Sequence, residues 1–183
     1  IIKAKFPELT RDGREFYAVN THATAFATDD TKQKHINKYI ETLNNIQNDG
    51  DYFVAGGDLN SVPPGSSIDF CESDKCDGEV CDGDYENNEA YQASYFNHFE
   101  GEPDILVPLY NAYNPSIELI DANLPSNYSH APSTSFEHNN IKYDRKLSYL
   151  FSNKDWVDGT SMTHQSAWEI SDHMPVSSVL LFE

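Results

Sequence analysis

The chain has 183 residues, enough for one domain with a core of its own. Twelve Lys and Arg stand against thirty Asp and Glu, a formal net charge of −18, which argues against tight, nonspecific binding of nucleic acid through many Lys or Arg contacts to phosphate. The same charge leaves open a phosphate ester in a site where a bound cation supplies the positive charge.

Apolar residues are 38% of the chain and aromatics 13%, so a folded core with long polar loops is expected. The chain opens on Ile1-Ile2-Lys3-Ala4-Lys5-Phe6, in strand-like alternation and without Met, as a mature protein or a piece of a longer one would. No apolar run approaches the roughly 18 residues of a membrane span. Lys3 to Phe6 and Glu15 to Asn20 read as strands joined by a turn at Arg11-Asp12-Gly13. Asp29-Asp30-Thr31 offers a helix N-cap, Ile36, Tyr39, Ile40, Leu43 and Ile46 make one greasy helical face, and Gly50 ends it. Tyr52 to Ala55 is a short apolar run, as in a strand buried on both faces. Strand, helix, strand in this order predicts a crossover unit and an α/β layer.

Between Ser61 and Asn140 the signals are weaker. Cys71, Cys76 and Cys81 are evenly spaced in an acidic, Gly-rich stretch, taken as an insertion over about residues 66–90. That spacing does not suit a structural zinc site, and Asp74, Cys76 and Gly78 do not fit a calcium loop. One disulfide closing a loop is expected, which points to a secreted or periplasmic setting. Glu89 to Phe99 reads as a helix, Leu106, Val107 and Leu109 as a further short element, and Pro125 to Asn140 as loop. Leu147 to Phe151 and Met174 to Phe182 read as strands.

Three polar clusters sit at the ends of the apolar runs: Asn20-Thr21-His22, Gly57-Asp58-Leu59-Asn60 and Ser171-Asp172-His173. Polar groups at strand ends are displayed at one rim of a sheet, where distant stretches of chain converge. Gly56-Gly57 would permit a tight turn and close approach of a ligand to the backbone. Asp58 can hold a cation or polarise a water, while the Asn60 amide can donate to a phosphoryl oxygen; the alternative is an Asx turn closing the strand. Asp172 and His173 can divide metal ligation from proton transfer, and His22 can be a second proton-transfer group. Taken singly, each cluster is also what an ordinary loop, turn or strand end would show.

Their order and flanks resemble the endonuclease/exonuclease/phosphatase superfamily of DNase I-like nucleases, abasic-site endonucleases, sphingomyelinases and inositol polyphosphate phosphatases. The resemblance is carried by Val19-Asn20-Thr21-His22, Gly57-Asp58-Leu59-Asn60 and Ser171-Asp172-His173-Met174-Pro175-Val176. It implies a single domain over residues 1–183 that supplies the second half of a four-layer α/β/β/α sandwich. The first half, with an Asn-ended strand and a metal-binding Glu, would be a separate partner segment of the same domain. The implied activity is metal-dependent hydrolysis of a phosphoester, whether nucleic acid, phospholipid or small phosphodiester. Mg2+ or Mn2+ is the implied cation, with Ca2+ as a third option. His173 would act at phosphorus, Asp172 would hold the cation, Asp58 and Asn60 would orient the attacking water, and His22 would contact the phosphate.

One position departs from the family. Where relatives carry Leu-Asp-Tyr, this chain has Leu147-Ser148-Tyr149, so the carboxylate that orients the histidine is replaced by Ser148. In another register Asp144 would be the orienter, ~13 Å away along an extended strand. The departure keeps a second reading open, a noncatalytic binding domain that retains the fold.

Overall fold

The computed structural model describes residues 1–7, 12–25, 30–66, 104–131, 143 and 145–181. Five strands form one mixed sheet: β1 (Ile2–Lys5), β2 (Phe16–His22), β3 (Tyr52–Asp58), β4 (Asn114–Pro115) and β5 (Ser148–Ser152), in the order β1-β2-β3-β5-β4. β6 (Met162–Thr163) and β7 (Val176–Ser177) make a separate antiparallel pair. Helix α1 (Thr31–Asn48) joins β2 to its parallel neighbour β3, the crossover that the order of elements predicts. Short helices α2 (Val107–Ala112) and α3 (Leu119–Ala122) flank β4 in the chain.

The periodic residues of α1 explain its docking. Ile36, Tyr39, Leu43 and Ile46 recur at three and four residues and are all buried. Asp30 occupies the N-cap position without a side-chain cap hydrogen bond. Its carboxylate instead meets Lys34 Nζ one turn on, at 2.6 Å. Gly50, at φ +83°, turns the chain out of the helix and donates to the Gln47 carbonyl at 3.0 Å.

Strand register sorts the sheet into two faces. Tyr17 pairs with Phe53, Val19 with Ala55, and Ala55 with Phe151. These residues join α1 and Leu106, Leu109 and Tyr113 in one core, where each fully buried Leu or Ile contributes roughly 1.5–3 kcal/mol. The opposite face carries Ala18, Val54 and Leu150, each half-buried.

Several elements differ from the sequence reading. β2 runs on through Thr21 and His22, and β3 through Gly56, Gly57 and Asp58, because the two strands keep pairing to their ends. The two glycines therefore extend a strand and do not turn it. A Cβ on Gly56 would stand 2.5 Å from the Tyr149 carbonyl oxygen, and one on Gly57 2.0 Å from that of Thr21. Gly57 also has a φ of +127°, which L side chains rarely adopt. The expected strand from Met174 to Phe182 contracts to Val176–Ser177, since its partner Met162–Thr163 is only two residues long. Beyond it, Leu180 meets Trp156 in a single bridge. The segment at Leu106, Val107 and Leu109 is helical, stabilised at its start by Pro108. Cys71, Cys76, Cys81, the insertion from residue 67 on, the expected helix from Glu89 to Phe99, and Asp144 lie outside the described residues.

Candidate active site at the sheet rim

Register brings three candidate residues into one row. His22 is the pairing partner of Asp58, and Asp58 is the partner of Ser148 on the other side. His22 Nε2 lies 3.3 Å from Asp58 Oδ2; the His22 side chain is 74% exposed and that of Asp58 16%, so the imidazole can be reached from solvent while the carboxylate is sheltered. Asn60 closes the strand behind them. Its backbone N–H donates to Asp58 Oδ1 at 2.8 Å, the Asx turn that the residue order allows. Its Nδ2 donates to Asp58 Oδ2 and to the Ala23 carbonyl, both at 3.0 Å. Both amide protons are thereby used within the chain, and Asn60 braces the Asp58 carboxylate. It does so at φ +47°, in the left-handed region that Asn tolerates better than most residues.

The third cluster arrives by a different route. Ser129 and His130 both donate their backbone N–H to the Arg145 carbonyl, at 2.9 and 3.0 Å. Ser129 Oγ accepts from the N–H groups of Leu147 and Ser148, at 2.9 and 2.8 Å, which docks this segment on the start of β5. The 172–174 segment then clips onto it, with Met174 N–H donating to the Ser129 carbonyl at 2.7 Å and Ala131 N–H to that of Asp172 at 3.0 Å. His173 N–H donates to Ser171 Oγ at 3.0 Å. The outcome puts His173 Nε2 3.6 Å from Asp58 Oδ2. One sheltered carboxylate thus stands between two imidazoles from opposite ends of the chain.

Burial pushes the His173 imidazole below its usual pKa, against the pull of the Asp58 carboxylate; His130 pushes it further down. A neutral imidazole beside a carboxylate can accept a proton near neutral pH. His173 Nδ1 is buried without a hydrogen-bond partner among the described residues, so Ser148 does not orient the ring through it. Asp172 is exposed, and its carboxylate belongs to a cluster with His130 and His173 in which one ligand atom of each lies within 4.8 Å of the others.

Two residues of this region are not legible as site residues in the sequence. His130 falls in a stretch read as loop, yet it is buried and its ring centroid is 5.2 Å from that of His173. Lys146, one residue before the strand read from Leu147, is 2% exposed and its Nζ has no hydrogen-bond partner among the described residues. The ammonium lies 5.2 Å from the Tyr149 ring centre, and burial lowers its pKa to about 7. Tyr149 in turn donates its hydroxyl to the carbonyls of Ser61 and Lys146, at 2.8 and 3.0 Å. No local pattern marks either residue; His130 is paired with Arg145 and His173, segments that meet it only in the fold.

No family model matches the sequence, and no curated protein does. Among solved structures the fold is similar to that of the Xenopus laevis APE2 catalytic domain, with a TM-score of 0.54 and 16% identity. The alignment takes in 97% of this chain and 53% of that one, so the chain spans about half the length of the domain it resembles. At this identity the likeness is one of fold, and the protein is a mixed α/β unit built like about half of that catalytic domain.

Proposed function

We propose that this chain is the C-terminal part of a divalent-metal-dependent phosphoesterase of the endonuclease/exonuclease/phosphatase kind. The observation that carries the proposal is the meeting of His22, Asp58 and His173, which come from three separate stretches of sequence, with His173 delivered to the paired strands by a separate segment. The likeness to a catalytic domain agrees with it. In this reading residues 1–183 belong to one domain, and a preceding segment supplies the other half of a four-layer sandwich. The half-buried apolar residues Ala18, Val54 and Leu150, on the face away from α1, suit such a neighbour.

Asp58, held by two hydrogen bonds from Asn60, orients the attacking water and takes up its proton. His173, neutral by burial, holds or moves a proton at Nε2 beside the phosphoryl group. His22 reaches the phosphate from the open side. The cation ligand assigned here is the exposed carboxylate of Asp172. Magnesium keeps several waters and needs one or two carboxylates, so the rest of its oxygen ligands would come from the preceding segment. Mg2+ or Mn2+, with Ca2+ as the third choice, would neutralise the charge of the phosphoester when bound. The substrate would be a nucleic acid, a phospholipid or a small phosphodiester, met in a secreted or periplasmic setting.

A noncatalytic binding domain is the second reading, favoured by one observation, the unpartnered Nδ1 of His173. The two separate in a hydrolysis panel of nucleic acid, sphingomyelin, inositol phosphate and bis-p-nitrophenyl phosphate, run on the protein that contains this chain. Cleavage of at least one substrate with Mg2+ or Mn2+, abolished by EDTA, is expected. His173→Ala should lower that rate by about 10² or more, the usual scale of an acid–base contribution. Turnover that survives chelation or the substitution would overturn the assignment.

A further inference from the structure

The clip that delivers His173 to the rim also builds a second kind of site. His130 and His173 face one another across a single antiparallel bridge, and Asp172 adjoins them. Two imidazoles and a carboxylate with ligand atoms within 4.8 Å of one another are not what a hard cation selects. Imidazole nitrogen suits zinc and its neighbours among the divalent transition metals, whereas magnesium prefers oxygen throughout. Ligand atoms around a tetrahedral zinc with bonds of ~2.1 Å stand about 3.4 Å apart. Closing the cluster therefore takes side-chain movements of roughly an ångström, available to the exposed Asp172 and the half-exposed His173. His130 is the fixed member, buried and with its backbone tied to Arg145.

A second observation concerns the same ring. His173 Nδ1 is buried and has no partner among the described residues, while Nε2 faces Asp58. A buried imidazole nitrogen without a partner is costly, and coordination of the ring fixes its tautomer and orientation.

We propose that His130, Asp172 and His173 form a site for a borderline divalent cation of the zinc class, and that its occupation withdraws His173 from proton transfer. The binding half stands on the cluster alone; the inhibitory half rests on the phosphoesterase reading. The same residue that serves hydrolysis would then serve as its off-switch, through a metal that competes with the activating one for Asp172.

Cobalt(II) titrated into the metal-free protein that contains this chain is the direct test, since it mimics zinc and its visible absorption reports coordination without any turnover. One equivalent should bind with a nitrogen- and oxygen-type spectrum and be displaced by Zn2+ but not by an equal amount of Mg2+. Asp172→Asn, at an exposed position that leaves folding intact, and His130→Gln should each weaken binding by about tenfold or more. Undiminished affinity in the Asp172 variant would overturn the site. So would a sulfur-to-cobalt charge-transfer band, which would place the ion on Cys71, Cys76 or Cys81. In the protein that contains this chain, zinc should suppress phosphoester hydrolysis, and His130→Gln should raise the zinc concentration needed by about tenfold. Cobalt binding with hydrolysis indifferent to zinc would sink the inhibitory half. Cobalt binding with no hydrolysis at all would sink that half together with the phosphoesterase reading, and leave the metal site standing.

Discussion

His22 and Asp58 reach the rim on paired strands, whereas Asp172 and His173 reach it on a segment clipped down by bridges and a few loop hydrogen bonds. The first pair is set by seven consecutive register partners, from Phe16 opposite Tyr52 to His22 opposite Asp58. Shifting that register by one residue would turn every side chain to the other face, so the positions of both residues are tied to the burial of the whole core. The second pair depends on Ser129, which receives Met174 through its carbonyl and the start of β5 through its hydroxyl. Half of the site is thus fixed by the register of the sheet, and the other half is held by bridges and a few loop hydrogen bonds.

The strand-borne half is where the largest effect is expected. Gly57→Ala would place a Cβ 2.0 Å from the Thr21 carbonyl oxygen and force an L side chain to φ +127°. No flexible side chain is there to yield, because the obstacle is backbone. A loss of about 3 kcal/mol or more is expected, in the range of the most damaging single substitutions, and urea denaturation would measure it. A loss below about 1 kcal/mol would mean that β2 and β3 part easily at the rim, and the contrast with the clipped half would disappear. Ser129→Ala removes one hydroxyl acceptor from the other half, and its cost should be smaller, roughly 1–3 kcal/mol for leaving the Leu147 and Ser148 N–H groups unpaired.

Lys146 tests the entrance to β5, where the two halves join. Its pKa is about 7 in the folded chain, against the usual 10.5 that the unfolded chain would show. Between those values the unfolded state holds a proton that the folded state lacks. Stability should therefore rise with pH from about 7 to about 10.5, and this contribution is flat below the folded value. Lys146→Met should remove that slope and stabilise the chain at neutral pH, on the order of a few kcal/mol, since it replaces a buried ammonium with an apolar group of similar length. Denaturation midpoints of both proteins on either side of the window give the answer. A variant whose slope matches the wild type would show that the ammonium is not desolvated.

The contrast between the halves also governs what could be read in advance. α1 and the parallel pair around it are legible because their information is local: Ile36, Tyr39, Leu43 and Ile46 at helical spacing, and Tyr52 to Ala55 as a continuous apolar run. The three polar clusters are legible for the same reason, each closing or preceding an apolar run. The ends of β2 and β3 are not, because Gly56 and Gly57 read as turn formers when only the chain is considered; the need for glycine comes from Tyr149 and Thr21 on either side. His130 and Lys146 are the hardest cases. A His among Ser and Pro, or a Lys after an Arg, carries no periodic signal.

Asn60 offers the finest test of the strand-borne half, since its two contributions can be separated. Its side chain donates to Asp58 Oδ2 and to the Ala23 carbonyl, and its backbone sits at φ +47°. Asn60→Gly removes the side-chain donors but keeps a residue at ease in that conformation, whereas Asn60→Ala removes them and adds the cost of a left-handed L residue, about 1 kcal/mol. The Ala variant should therefore be less stable than the Gly variant by about 1 kcal/mol in denaturant. If the phosphoesterase reading holds and Asn60 acts through Asp58, both variants should lower kcat of the protein that contains this chain by the same factor and leave KM nearly unchanged, since what is lost is the placement of the carboxylate. A larger kcat loss in Ala than in Gly would assign the effect to the backbone. A rise in KM shared by both would return Asn60 to direct contact with the substrate, which its two occupied amide protons argue against.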